Sequence, residues 1–172
     1  MKLYTNDRLV PYRDTRILNP LSTKSEIDGL LARYGIKKSA WEWDLENSRV
    51  SLQFQISEVI HDRSVEPVVK IEPPTIWNKG GRSKKESINW AVSMRIMFWF
   101  LKSHLEMAYL MQSSKTQEFL PFILNPETGK TLKDILIPRL DEIRQLEALP
   151  EMPAEETRVK VVDATPKETQ PT

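Results

Sequence analysis

The chain contains no cysteine, only two histidines and only five glycines among its 172 residues. The lack of cysteine excludes disulfide bonds, zinc ribbons and thiol catalysis. The 25 basic and 24 acidic residues give a net charge of +1, so the overall charge does not draw the chain to nucleic acid or to a membrane. Any charged partner must therefore be recognised by a local patch.

Long apolar runs and catalytic motifs are also missing. The first 14 residues, MKLYTNDRLVPYRD, lack the apolar core of a signal peptide, and an arginine interrupts the most apolar stretch. We therefore expect a cytoplasmic protein without a membrane span. The sequence has no phosphate-binding glycine loop and no nucleophile elbow, and its histidines lack the spacing of a zinc site. It therefore predicts no catalytic residue, no metal site and no cofactor.

The composition divides the chain into three regions. Residues 1–21 mix apolar side chains with charges, which predicts an extended arm on the domain or on a neighbouring subunit. Residues 22–147 carry periodic apolar patterns and predict one globular domain. Residues 148–172 are rich in Pro, Glu, Thr and Lys, and they predict a disordered tail because so few apolar groups cannot offset the entropy of ordering.

Periodicity within the domain predicts an α+β fold. An apolar stripe at helical spacing predicts a first helix over residues 24–34. Period-two alternation predicts strands over residues 41–46 and 50–57, and prolines bracket a third strand near 68–72, which favours an edge position. We expect a three-stranded antiparallel meander packed against this short helix, a long central helix and short C-terminal helices.

The most apolar stretch, residues 83–113, predicts the long helix. Ser83 and Glu86 have the spacing of a capping box, as Thr23 and Glu26 have for the first helix. The long helix is apolar around most of its circumference, so another surface must cover it. The helix could be covered at the centre of the domain or at a subunit interface. The subunit interface predicts a structural homo-oligomer formed through this helix and the N-terminal arm.

Four cations stand together at the start of this stretch, in the sequence KGGRSKK at residues 79–85. Basic side chains and the N–H groups of a helix start both attract phosphate. We therefore expect contacts to a nucleic-acid backbone, with an aromatic ring stacking on a base. The predicted site comprises Trp77, Lys79, Arg82, Ser83, Lys84 and Lys85. A solvated loop that keeps a helix end soluble is the alternative interpretation.

The order helix, three strands, helix, with Gly-Arg-Ser-Lys-Lys at the start of the last helix, resembles the double-stranded-RNA-binding-domain family. In that family a Ser-Lys-Lys-x-Ala-Lys run opens the second helix, and its lysines contact phosphates across a groove. The matching residues are Ser83, Lys84 and Lys85, whereas the family's alanine and third lysine are not matched. The resemblance implies a non-enzymatic protein that binds nucleic-acid phosphates.

A third interpretation is a metal-dependent nuclease. The polar face of the predicted sheet includes Glu42, Asp44, Gln55, Lys70 and Glu72. Carboxylates beside a lysine can hold Mg²⁺ and activate water for phosphodiester cleavage. Restriction-endonuclease-like nucleases begin with a similar order of elements, but their acidic residue precedes the lysine, whereas here the strand reads Lys-Ile-Glu. A solvated sheet face is the simpler account of these carboxylates.

Overall fold

The computed structural model describes residues 2–12, 19–44, 48–79 and 86–146, with the backbone alone for 141–146. The predicted disordered tail, residues 148–172, lies outside them. In chain order the described elements are β1 (Leu3–Tyr4), α1 (Pro20–Arg33), β2 (Lys38–Asp44), β3 (Arg49–Gln55), β4 (Glu58–Ile60), β5 (Arg63–Val65), β6 (Val68–Ile71), β7 (Ile76–Asn78), β8 (Ser87–Ile88), α2 (Trp90–Leu110), α3 (Lys115–Glu118), a 3-10 helix (Leu120–Phe122) and α4 (Leu132–Leu146). The fold is α+β, as predicted.

Helix α1 begins earlier than its apolar stripe indicates. The side chain of Asn19 caps it by accepting a backbone hydrogen bond at 2.9 Å, and a proline follows in the first turn. The capping box predicted from Thr23 and Glu26 is therefore wrong, because both residues lie inside the helix. Glu26 instead pairs with Arg95 of α2 at 2.6 Å. Gly35 follows the end of the helix with a φ of 80°, a left-handed conformation that glycine adopts readily.

The main sheet has the strand order β2–β3–β6 and is antiparallel throughout. Strand β2 pairs with β3 over seven consecutive residues, and β3 pairs with β6 over four. The predicted meander, with its third strand at an edge, is confirmed. One face of the sheet packs against helices α1 and α2, and its buried side chains are Val50, Leu52, Phe54, Val69 and Ile71.

A short hairpin, β4–β5, interrupts the meander between its second and third strands. Its turn residues His61 and Asp62 have φ values of 49° and 62°, the positive values that a two-residue type I′ turn requires. The flanking strands have three residues each, which is too short to leave a periodic pattern in the sequence.

Helix α2 begins at Trp90, later than the start predicted at Ser83. The reason is that Ser87 and Ile88 pair with strand β7 and are therefore extended. The helix packs against α1 and the sheet, and its fully buried side chains include Met94, Met97, Leu101 and Leu105. Within the described ranges, no helix is long and apolar enough to cross a membrane.

Glu58 of β4 ties the hairpin to helix α3. Its carboxylate accepts hydrogen bonds from Ser114 Oγ at 2.6 Å, Lys115 N at 2.9 Å and Thr116 N at 3.0 Å. Burial raises the pKa of Glu58, but the hydrogen bonds that favour its charged form outweigh burial and lower the pKa to about 2. The carboxylate therefore joins two elements that are far apart in the chain.

We expect Glu58→Gln to reduce the free energy of unfolding by about 2–3 kcal/mol at pH 7, because the amide cannot replace a carboxylate facing three donors. The folded pKa of about 2 lies below the ordinary value of 4.5, so this stabilisation is complete above pH 4.5. It is lost as the pH falls toward 2. Urea unfolding of both proteins across this range measures the effect.

Glu127→Gln is the matched control, because Glu127 is an exposed turn residue. It should leave the unfolding free energy unchanged at every pH. A difference between wild type and Glu58→Gln that stays constant from pH 7 to pH 3 would contradict the proposed role of the carboxylate charge.

Candidate nucleic-acid interface

A second, smaller sheet with the order β1–β7–β8 carries the described part of the predicted site. Strand β1 pairs with β7 in parallel, and β7 pairs with β8 in antiparallel. Thr5 N donates a further hydrogen bond to Trp77 O at 2.8 Å. Trp77 therefore lies in the central strand, held on one side by the N-terminal arm and on the other by the residues that precede α2.

The basic run connects two paired strands and does not start a helix. Asn78 lies opposite Ser87, so the chain leaves the small sheet at β7 and returns at β8 with residues 79–86 between them. Lys79 is exposed and directly follows β7. The predicted site residues that lie outside the described residues are Arg82, Ser83, Lys84 and Lys85. We call residues 79–86 the basic connection.

Asn89, and not Ser83, caps the long helix. Asn89 Oδ1 accepts a hydrogen bond from Val92 N at 3.1 Å, and its Nδ2 donates to Asn78 Oδ1 at 3.0 Å. The prediction that the long helix starts within the basic run is therefore wrong, because the helix starts after that run and β8 stands between them. Phosphate binding by these residues stays a prediction. The same hydrogen bonds fix the helix start to the end of β7.

Lys2 and Tyr4 of the arm hold Glu86, the last residue of the basic connection. Lys2 Nζ lies 3.0 Å from Glu86 Oε2, and Tyr4 OH donates to Oε1 at 3.0 Å. These hydrogen bonds lower the pKa of Glu86 and raise the pKa values of both Lys2 and Tyr4. Glu86 therefore stays charged, and Lys2 compensates its negative charge.

Trp77 is half-buried, and Lys2 Nζ lies 4.6 Å from the centre of its ring. This cation–π contact places a further basic residue at the base of the basic connection. The positions of Lys2 and Tyr4 could not be predicted from the sequence, because they follow from the parallel pairing of β1 with β7, which leaves no local pattern. Stacking of a base on Trp77 stays a prediction.

The N-terminal arm contacts Trp99 of α2, whose exposed fraction is 36%. The ring of Tyr12 stacks on it with a centroid distance of 5.9 Å and an angle of 11° between the planes. Arg95 and Lys102 also lie over the Trp99 ring, at 5.7 Å and 4.8 Å. The sequence predicts that the arm lies either on its own domain or on a neighbouring subunit. Residues 2–12 lie on their own domain.

The polar face of the main sheet is paired internally. Ser51 Oγ donates to Glu42 at 2.9 Å, and Lys70 Nζ lies 4.0 Å from Glu42 and 3.7 Å from Glu72. Among the residues that the structure describes, no three acidic or histidine side chains are placed to hold a metal ion. The nuclease interpretation stays a prediction, and the described residues provide no metal site that would support it.

Comparison with known proteins finds no matching family model, no similar curated protein and no similar solved structure. The resemblance to the double-stranded-RNA-binding-domain family therefore stays a prediction. The chain has the expected helix, three-stranded antiparallel sheet and second helix, but it inserts the β4–β5 hairpin and the β7–β8 pair. Its basic run consequently stands before β8, whereas the family's lysine run opens the helix.

We expect Asn89→Ala to lower the free energy of unfolding by about 1 kcal/mol, because it removes the side-chain cap of α2. Ser83→Ala is the matched control and should have no effect, since the helix does not begin there. Chemical denaturation of both variants measures the difference. A loss of stability in Ser83→Ala that equals the loss in Asn89→Ala would contradict the observed helix start.

Proposed function

We propose that the protein is a non-enzymatic binder of the nucleic-acid backbone and that the basic connection is its contact surface. The observation that carries the proposal is the pairing of Asn78 with Ser87, which holds both ends of the basic connection together at one edge of the small sheet. The segment between these paired residues carries four cations in seven consecutive positions, residues 79–85, in a chain whose net charge is only +1.

The charges of the basic connection support an anionic ligand. Its cations are Lys79, Arg82, Lys84 and Lys85, and its one acidic residue is Glu86. Lys2 pairs with Glu86 at 3.0 Å, so the four cations are not offset by that carboxylate. A nucleic-acid backbone can contact several neighbouring cations at once. When the cations bind its phosphates, the counterions condensed on the nucleic acid are released.

Fluorescence anisotropy with labelled single-stranded and duplex DNA and RNA tests the proposal. Binding should weaken as salt rises from about 50 mM to about 200 mM, with a logarithmic slope of about −0.7 to −0.9 per phosphate contact. The triple variant Arg82→Ala, Lys84→Ala and Lys85→Ala should reduce the slope by about two to three, because three contacts are lost.

The matched control removes three exposed cations elsewhere, with Lys130→Ala, Lys133→Ala and Arg139→Ala. Its total charge equals that of the first triple variant, so a general electrostatic effect would weaken both equally. The proposal requires the triple variant of the basic connection to lose more binding affinity than the control triple variant. Absence of binding to all four nucleic acids at low salt would refute it.

Exposed apolar side chains at the C-terminal end of α2 favour a second candidate function, self-association through the long helix. Their exposed fractions are 47% for Met107, 73% for Tyr109, 72% for Leu110 and 68% for Met111. They stand beside a groove with Leu105 and Ala108 in its lining. Clusters of large exposed apolar side chains are typical of interaction surfaces.

The double variant Leu110→Glu with Met111→Glu should weaken self-association through this surface, because it places charges in an apolar contact. Leu9→Glu with Val59→Glu is the control, since both of these residues are also highly exposed but lie elsewhere. Sedimentation equilibrium of the three proteins measures the association. Equal association in all three would exclude the end of α2 as the interface.

A further inference from the structure

Among the described residues, no strand pairs with the outer edge of β2, the first strand of the main sheet. Within the described part of the chain, β2 makes backbone ladder contacts to β3 alone. The opposite edge is occupied, because Val69 of β6 forms a bridge with Ile123 and Leu124 N donates to Val68 O at 2.7 Å. An open edge carries a row of unpaired N–H and C=O groups, which can pair with another strand.

Strand β2 is well suited to such pairing. It runs opposite β3 for seven consecutive residues without a bulge, and its sequence KSAWEWD contains no proline. Bulges and prolines are common devices that keep a sheet edge from pairing. Lys38, Ser39 and Ala40 are all exposed. The charges of Lys38, Glu42 and Asp44 are its protective features, and a partner that places an opposite charge beside Lys38 would remove part of this obstacle.

A second copy of β2 supplies that charge. When two β2 strands run antiparallel about a two-fold axis at Trp41, Lys38 of each copy faces Asp44 of the other. Ser39 then faces Trp43, and Ala40 faces Glu42. Opposite charges that face each other directly across strands stabilise a sheet. Asp44 already interacts within its own chain, but a carboxylate has several acceptor sites and can also meet a lysine.

Other symmetric registers are poorer. A shift that pairs odd with even residues would place core-facing side chains opposite solvent-facing ones, because successive side chains alternate between faces. A shift centred on Glu42 would bring the two Glu42 carboxylates together. A shift centred on Ala40 would pair Lys38 with Glu42 but would shorten the contact from the full seven residues of β2. The register centred on Trp41 keeps the whole strand paired with both charge pairs formed.

Contacts with α1 hold Trp41 in place for this arrangement. Its Nε1 donates to Asp28 Oδ1 at 2.8 Å, and Lys24 Nζ lies 5.4 Å from the centre of its ring. The middle of β2 is therefore supported by contacts with α1.

We infer that β2 pairs with β2 of a second copy of this chain and joins the two three-stranded sheets into one continuous sheet of six strands. This interface is separate from both the basic connection and the end of α2. Pairing through β2 can therefore be tested independently of the proposed functions.

Sedimentation equilibrium of charge variants tests the register. Lys38→Glu should weaken the dimer by about tenfold, because each of the two charge pairs changes from attraction to repulsion. The exchanged variant, Lys38→Glu with Asp44→Lys, should regain the affinity of the wild type, since the pairs form again with reversed charge. Lys37→Glu is the matched control: Lys37 is exposed and adjacent but precedes β2, so its change should have little effect.

Amide hydrogen exchange of the wild type gives a second measurement that needs no variant. Exchange at alternate residues of β2 should slow as the protein concentration rises. A monomer at every attainable concentration would overturn the inference. So would a dimer whose affinity is unchanged in Lys38→Glu, or whose concentration-dependent protection lies outside β2.

Discussion

Helix α2 determines the arrangement of the rest of the structure through the side chains that it buries. Met94, Met97, Leu101 and Leu105 are at most 1% exposed, and burial of each such side chain contributes about 1.5–3 kcal/mol. These side chains can be covered only if α1 and the main sheet pack against the same helix. The ion pair of Arg95 with Glu26 joins α1 to α2 at the surface of this packing.

The same helix also positions the small sheet. Asn89 N donates to Ile76 O at 2.7 Å, and Ile76 N donates to Ser93 Oγ at 3.3 Å. Ile76 and Val92 are buried together with Val10 of the arm. The ends of the basic connection are thus anchored to the first turn of α2, so the surface proposed to bind phosphates is built on a rigid base.

Much of the fold could be predicted because its elements are long enough to show a period. The alternation of Val50, Leu52 and Phe54 marked β3, and helical spacing marked the core face of α2. The position of the basic run could not be predicted, because β8 has two residues and its pairing with β7 leaves no periodic signal. Residue type identified the candidate cations, whereas non-local pairing placed Lys79 directly after β7 and brought Lys2 to Trp77 and Glu86.

The pairing of β1 with β7 links two segments that are 72 residues apart at the hydrogen bond from Thr5 Oγ1 to Trp77 O. Closing a loop of this length costs conformational entropy that only the folded intervening chain can offset. Lys2 therefore reaches Trp77 and Glu86 only after the domain between them has folded. A short peptide with the sequence of the basic connection would carry the same cations without this arrangement. The complete surface is thus a property of the native state, and its assembly reports that the whole domain is intact.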